Sequence, residues 1–171
     1  MTIEPLDIPG AHIIRPEVFA DERGQFFRTF CPKALSNHGM PFEVRQCNLS
    51  ANPHTGTLRG FHGQRSAEEK LLLCLTGAAH DILLDLRPDS STFRQWRAIE
   101  LTGPLLLHVP SGCVNAWLTT LPDTLIHYWH SDIYRPELEI GVRYNDPAFD
   151  IRWPADPILI SEKDKNRPNY S

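Results

Sequence analysis

Apolar residues in this chain fall in short runs cut at regular intervals by glycine, proline and aspartate, and they seldom recur at helical spacing. The segments His12 to Ile14, Gln25 to Phe30, Phe42 to Cys47, Leu71 to Leu75 and Ala79 to Leu86 read as strands. So do Trp96 to Leu101, Leu105 to Val109, Val114 to Leu118 and Thr124 to Trp129. Gly77, Pro88-Asp89-Ser90, Gly103-Pro104, Pro110-Ser111-Gly112 and Pro122-Asp123 mark the turns between them. Only Pro32 to His38 reads as a helix, with proline suited to its first turn and Gly39 as its stop. From Asp146 onward the chain is rich in proline and charge, which predicts loops and a short helix wrapped over the strands.

Many short strands with few helices must stack or close to protect their edges. The expected fold is therefore all-β: a double-sheet jelly roll, cupin-like, with short peripheral helices and an extended C-terminal tail. A chain of 171 residues suits one domain, 1–171, and can bury enough surface to fold without disulfide or metal. The net charge of -4 argues against nucleic acid or an anionic membrane as the main partner. Met1 to Gly10 lack the basic start and apolar stretch of a secretion signal, and no apolar run approaches membrane-spanning length, so the expected location is cytoplasmic. Cys31, Cys47, Cys74 and Cys113 are widely spaced and read as free thiols, with no nucleophile assigned among them.

Candidate chemistry concentrates in Thr57 to Gln64 and at Lys70, where Arg59, His62 and Lys70 place three nitrogen bases on adjacent strand-like segments. In a flat strand Arg59 and His62 point to opposite faces. Gly60 and Gly63 are the expected points of bulging or close backbone approach that re-aim them. An imidazole near an ammonium and a guanidinium suits an anionic substrate that must lose a proton. Metal-binding jelly rolls hold their ion with two histidines and a carboxylate, plus a later histidine after a Pro-x-Gly turn. Here His62 has no histidine two residues on, and Pro110-Ser111-Gly112 leads to Asn115, a poor ligand for zinc or iron. Neither a catalytic metal nor a cofactor is expected.

Ordered motifs along nearly the whole chain then identify a resemblance. They are Asp21-Glu22-Arg23-Gly24 with Phe26-Phe27, Gln46-Cys47-Asn48, Leu58 to His62, Lys70-Leu71, Asp81 to Arg87 and Ser91-Thr92-Phe93. They continue with Val109 to Gly112, Tyr128 to Tyr134, Gly141-Val142-Arg143, Asp146-Pro147 and Leu159 to Asp164. In these the chain resembles the dTDP-4-dehydrorhamnose 3,5-epimerase family. The resemblance implies a metal-free jelly-roll homodimer that inverts C3, C5 or both in a nucleotide-diphosphate-linked 4-keto-6-deoxyhexose.

On that resemblance His62 is the base, Asp164 its acidic partner, Lys70 the charge near the 4-keto oxygen, and Tyr128 the acid on the opposite face. Arg23, Phe26, Arg28, Gln46, Asn48, Arg59, Asn115, Tyr134 and Glu139 count as substrate-binding positions, and Arg23 with Phe26 as residues that complete a neighbour's site. Three departures stand out. Asn115 replaces a family histidine, Gly63 replaces a bulky residue and is expected to widen the pocket, and Arg28 replaces a glutamate at the nucleotide end. Arginine offers only donors, so one reading of Arg28 moves base preference from thymine toward cytosine or guanine, and the other turns it to solvent or phosphate. A related sugar-nucleotide ketoisomerase and a non-catalytic carbohydrate-binding jelly roll remain the alternatives.

Overall fold

The computed structural model describes residues 1–170. The chain opens with β1 (Thr2–Pro5), β2 (His12–Arg15), the hairpin β3 (Val18–Asp21) and β4 (Gly24–Phe27), and helix α1 (Pro32–Asn37). There follow β5 (Gln46–Asn52), β6 (Thr57–Gln64), β7 (Lys70–Thr76), β8 (Ala79–Asp85) and β9 (Trp96–Leu101). The last long strands are β10 (Leu106–Val109), β11 (Cys113–Thr119) and β12 (Thr124–His130), with short β13 (Glu139–Ile140), β14 (Leu159–Ile160) and α2 (Glu162–Lys165) after them. One sheet has the order β1-β2-β10-β7-β12-β5 and the other β13-β6-β11-β8-β9, with β14 added parallel to β6. The architecture is the expected jelly roll.

Both sheets are covered on both faces, which is why their central strands read as continuous apolar runs rather than strict alternations. Along β7 the pleat sends Leu72 and Cys74 into the space between the sheets, against Leu83 and Trp117. Leu71 and Leu73 point the other way and pack under Leu35 of α1, Met40 and Phe42. On the second sheet Phe61, Ile82 and Val114 face outward beneath the tail residues Val142, Phe149 and Trp153. The tail therefore wraps the sheet as expected. Helix α1 starts at Pro32 and is followed by Gly39 at φ +75, the left-handed conformation that ends it.

Two expectations need correction. Phe42 to Arg45 is not strand, because Phe42 is committed to the apolar layer outside the first sheet, and pairing starts only at Gln46. The segment Gln25 to Phe30 stops being strand at Phe27. No helix among the described residues is long and apolar enough to cross a membrane.

Candidate functional site

A cavity of about 440 Å³ opens between the two sheets. From one sheet Gln46 and Asn48 of β5, Lys70 of β7, and Tyr128 and His130 of β12 point into it. From the other come His62, Gly63 and Gln64 of β6 and Asn115 and Trp117 of β11. Tyr134, Glu139 and Lys163 form its rim. Among the described residues, no group of three or more His, Cys, Asp or Glu side chains is arranged to hold a metal ion.

The pairing of β6 with β11 explains how His62 reaches the interior. His62 lies opposite Asn115 and Arg59 opposite Trp117, with a register shift between, so β6 carries one more residue than β11 over this stretch. The bulge turns Arg59 and His62 toward the same side, as the glycines led us to expect. Gly60 sits at φ +122, and a Cβ there would lie 2.5 Å from the Ala116 backbone, so only glycine admits this approach. Gly63 lines the cavity, yet its added Cβ would come within 3.0 Å of Cys113 O and Val114 Cγ1. Its first effect is to let β6 lie close to β11, rather than to widen the pocket.

Asp164 reaches His62 from the far end of the chain. Pairing of Leu159 with Thr57 and Ile160 with Leu58 lays β14 along β6, and Ser161 caps α2 by accepting the Asp164 N–H at 3.1 Å. His62 Nε2 then meets Asp164 Oδ1 at 2.6 Å, while Asp164 Oδ2 accepts the Gly60 N–H at 3.4 Å. Burial opposes the charge on Asp164, but the hydrogen bond and charge of His62 outweigh it and hold the carboxyl below its ordinary range. With Nε2–H committed to the carboxylate, Nδ1 carries the lone pair available as base.

Lys70 is 7% exposed, and its ammonium donates to His62 O at 2.8 Å and to Asn115 Oδ1 at 2.7 Å. Asn115 Nδ2 in turn donates to Asp81 Oδ2 at 2.8 Å. Burial pushes the Lys70 ammonium down in pKa, opposed by the charges of Glu68 and Asp81. Burial also pushes the Asp81 carboxyl up to about 7, against the Asn115 hydrogen bond and the Lys70 charge. The Asn115 amide thus bridges two buried ionisable groups. Tyr128 packs edge-on against Trp117 with ring centroids 5.7 Å apart. Burial raises its phenol, and the Arg59 charge and the Asn48 amide hold the rise back.

The remaining positions divide. Gln46 accepts the Tyr134 N–H at 2.9 Å and donates to Asn48 Oδ1 at 3.2 Å. Glu139 gathers Tyr134 Oη and Lys163 Nζ, each at 2.6 Å, together with Arg167. Burial works against the Glu139 charge, but these donors hold its pKa down at about 2. Arg59 is not part of the cavity lining; its Nε donates to Asn52 Oδ1 at 2.8 Å. Arg23 and Phe26 lie on the exposed β3–β4 hairpin and Arg28 just beyond it, and none of the three lines the cavity of its own chain. Glu68, His130, Gln64 and Lys163 line it without having been singled out in the sequence. Glu68 sits in a charged stretch that reads as solvated, and only the inward alternation of Tyr128 and His130 along β12 was available as a signal. A larger, more open groove of about 1250 Å³ shares Gln64 and Glu139 but holds neither the histidine–aspartate pair nor the tyrosine.

A two-sheet β-sandwich whose interior sets a histidine–aspartate pair opposite a tyrosine, with a buried lysine close by, defines an isomerase of the acid–base kind. The family model described as dTDP-4-dehydrorhamnose 3,5-epimerase matches residues 5–171, and the chain belongs to that family. It is 34% identical over 165 residues to the dTDP-4-dehydrorhamnose 3,5-epimerase of Methanothermobacter thermautotrophicus, covering 93% of this chain and 89% of that one. It is 33% identical over 175 residues to a dTDP-4-dehydro-6-deoxyglucose 3-epimerase from a Streptomyces species, covering 99% and 89%. The crystal structure of the Bacillus anthracis 3,5-epimerase with TDP and pyrophosphate bound superimposes with a TM-score of 0.94 at 33% identity, covering 99% of each chain. The chain is an epimerase.

Proposed function

We propose that this cavity binds a dTDP-linked 4-keto-6-deoxyhexose and inverts C3, the carbon named in both kinds of relative. His62 Nδ1 removes the C3 proton, which the neighbouring C4 carbonyl acidifies, and Asp164 stabilises the resulting imidazolium. The electron pair passes to the 4-oxygen. Lys70 has three N–H donors and spends two on His62 O and Asn115, so one remains for the enolate oxygen. Tyr128 then delivers a proton to the opposite face of C3, after which the imidazolium gives its proton to solvent and solvent restores the phenol. The observation that carries this reading is the placement of His62 and Tyr128 on opposite sheets across one cavity, with Lys70 buried alongside.

The β3–β4 hairpin supports a homodimer with composite sites. Phe19 and Phe26 are 58% and 72% exposed there, and Arg23 is likewise exposed and, among the described residues, paired only with Asp21 of the same hairpin. In the assembly we propose, this hairpin reaches the diphosphate end of the cavity in the second copy, and the chain acts as one domain.

The test is incubation with dTDP-4-dehydro-6-deoxyglucose in deuterium oxide, with labelled carbons read by mass spectrometry and NMR. Deuterium at an inverted C3 supports the reading, and label at an inverted C5 adds the second epimerisation. Carbonyl migration to a structural isomer, or binding with no exchange, rejects it.

A further inference from the structure

The cavity contains a second histidine–carboxylate pair that the mechanism above does not use. His130 Nδ1 lies 2.7 Å from Glu68 Oε1, and the two side chains are 9% and 4% exposed. His130 Nε2 faces Asn48 Nδ2 at 3.1 Å. Glu68 Oε1 also accepts from Gln64 Nε2 at 3.0 Å.

Backbone donors at both ends set the direction of this network. The Tyr134 N–H donates to Gln46 Oε1, so the Gln46 NH₂ group is the end that reaches Asn48 Oδ1. That leaves the Asn48 NH₂ group toward His130, whose Nε2 must accept and whose Nδ1–H must donate to Glu68. At the other end the Arg135 N–H donates to Gln64 Oε1 at 2.6 Å, which turns the Gln64 NH₂ group toward the same carboxylate. A reversal anywhere along the network would set two donors or two acceptors against each other. The arrangement therefore fixes His130 with its hydrogen on Nδ1 and makes Glu68 Oε1 the acceptor of two hydrogen bonds. The other ionisable neighbours are Lys70, opposite His130 in the β7 register, and Tyr128 on its own strand, with ring centroids 5.2 Å apart.

An amide NH₂ group carries two hydrogens. One is committed to His130 Nε2, and Asn48 lies directly opposite Tyr128 in the pairing of β5 with β12, where donation from its amide to the phenol oxygen favours the phenolate. We propose that His130, held by Glu68, is a positioning residue for the acid wall of the site: it accepts one N–H of the Asn48 amide that Gln46 orients, and so holds the second N–H toward the Tyr128 oxygen as that oxygen gives up its proton. This rests on Tyr128 being the proton donor. It extends that reading by giving Tyr128 a support that parallels the one Asp164 gives His62.

The test compares inverted product with deuterium exchange at C3, using dTDP-4-dehydro-6-deoxyglucose in deuterium oxide. His62 still exchanges the proton when the acid wall is impaired, so His130→Phe should lower the ratio of inversion to exchange roughly tenfold, the scale of one lost hydrogen bond to a charged group. His130→Gln, whose side-chain oxygen can accept from Asn48, should restore most of the ratio. Glu68→Gln should change it in the same direction as His130→Phe, and serves as the second variant if His130→Phe does not fold. The tyrosinate absorbance that disappears in Tyr128→Phe should titrate at higher pH in His130→Phe. Equal loss of exchange and inversion, or an unchanged ratio and an unchanged Tyr128 titration in folded variants, would overturn the proposal. Full inversion by Tyr128→Phe would instead remove the acid assignment on which it rests, so the two failures are distinguishable.

Discussion

Asp164 and His62 stand 102 residues apart in the chain, yet Asp164 Oδ1 lies 2.6 Å from His62 Nε2, with the aspartate side chain 5% exposed. The pair exists because β14 is laid parallel to β6 and a one-turn helix follows at once. Asp164→Asn keeps the shape and loses the charge that stabilises an imidazolium. Deuterium exchange at C3 should fall by about a hundred- to ten-thousand-fold in His62→Ala, the usual worth of a general base, and substantially in Asp164→Asn, with nucleotide-sugar affinity largely kept in both. Wild-type exchange in His62→Ala would remove it as the base.

Asn115 bridges Lys70 and Asp81, and all three side chains are buried. Asn115→Ala leaves a buried ammonium and a buried carboxyl short of a partner, a loss of about 1–3 kcal/mol. Urea denaturation should show that loss, and turnover should fall as Lys70 loses one of its two anchors. An unchanged midpoint would mean that the amide is not what holds this pair.

Glu139 provides the acid-pH signature. Its folded pKa of about 2 lies below the ordinary 4.5, so its contribution to stability is complete above about pH 4.5 and is lost as pH falls through the window toward 2. Glu139→Gln should be less stable than the wild type at neutral pH and should show a flatter decline in urea midpoint across that window. Parallel curves would show that the contacts with Tyr134, Lys163 and Arg167 contribute nothing net.

The composite sites proposed above make a quantitative prediction about mixed dimers. In that assembly His62→Ala damages the cavity of its own chain, and Arg23→Ala damages the hairpin supplied to the other copy. After mixing and random re-pairing, half the dimers are mixed and each mixed dimer has one intact site, so about a quarter of wild-type activity should return. Activity no greater than the sum of the two variants alone, or a fully active monomer in sedimentation, would reject the shared site.

Arg28 lies beside Cys31 at the start of α1, outside the cavity of its own chain. In a base-reading role it would meet acceptors on cytosine or guanine and face the N3 hydrogen of thymine unfavourably. Calorimetry with dTDP, CDP and GDP should then show Arg28→Glu shifting relative affinity toward dTDP by about tenfold, the scale of one good base contact. A dTDP preference that survives Arg28→Glu unchanged would assign the residue to phosphate or solvent.

Local order was legible because it depends on neighbours in the chain. The apolar runs of β7, β8 and β11 announce strands buried on both faces, Pro32 and Gly39 bound a helix, and Gly60 marks the bulge that turns His62 inward. The motifs from Leu58 to His62 and at Lys70, Tyr128 and Asp164 pointed to candidate acid–base residues without showing that they meet. What only the tertiary structure decided depends on register between distant strands. Phe42 to Arg45 has the apolar pattern of a strand, but its phenylalanine is worth more as cover over Leu71 and Leu73. Glu68 and His130 look like ordinary polar residues until β7 and β12 pair and close the cavity around them. Side-chain pattern is written along the backbone, whereas the direction of a hydrogen-bond network follows from which donors the fold brings to its two ends, here the backbone N–H groups of Tyr134 and Arg135.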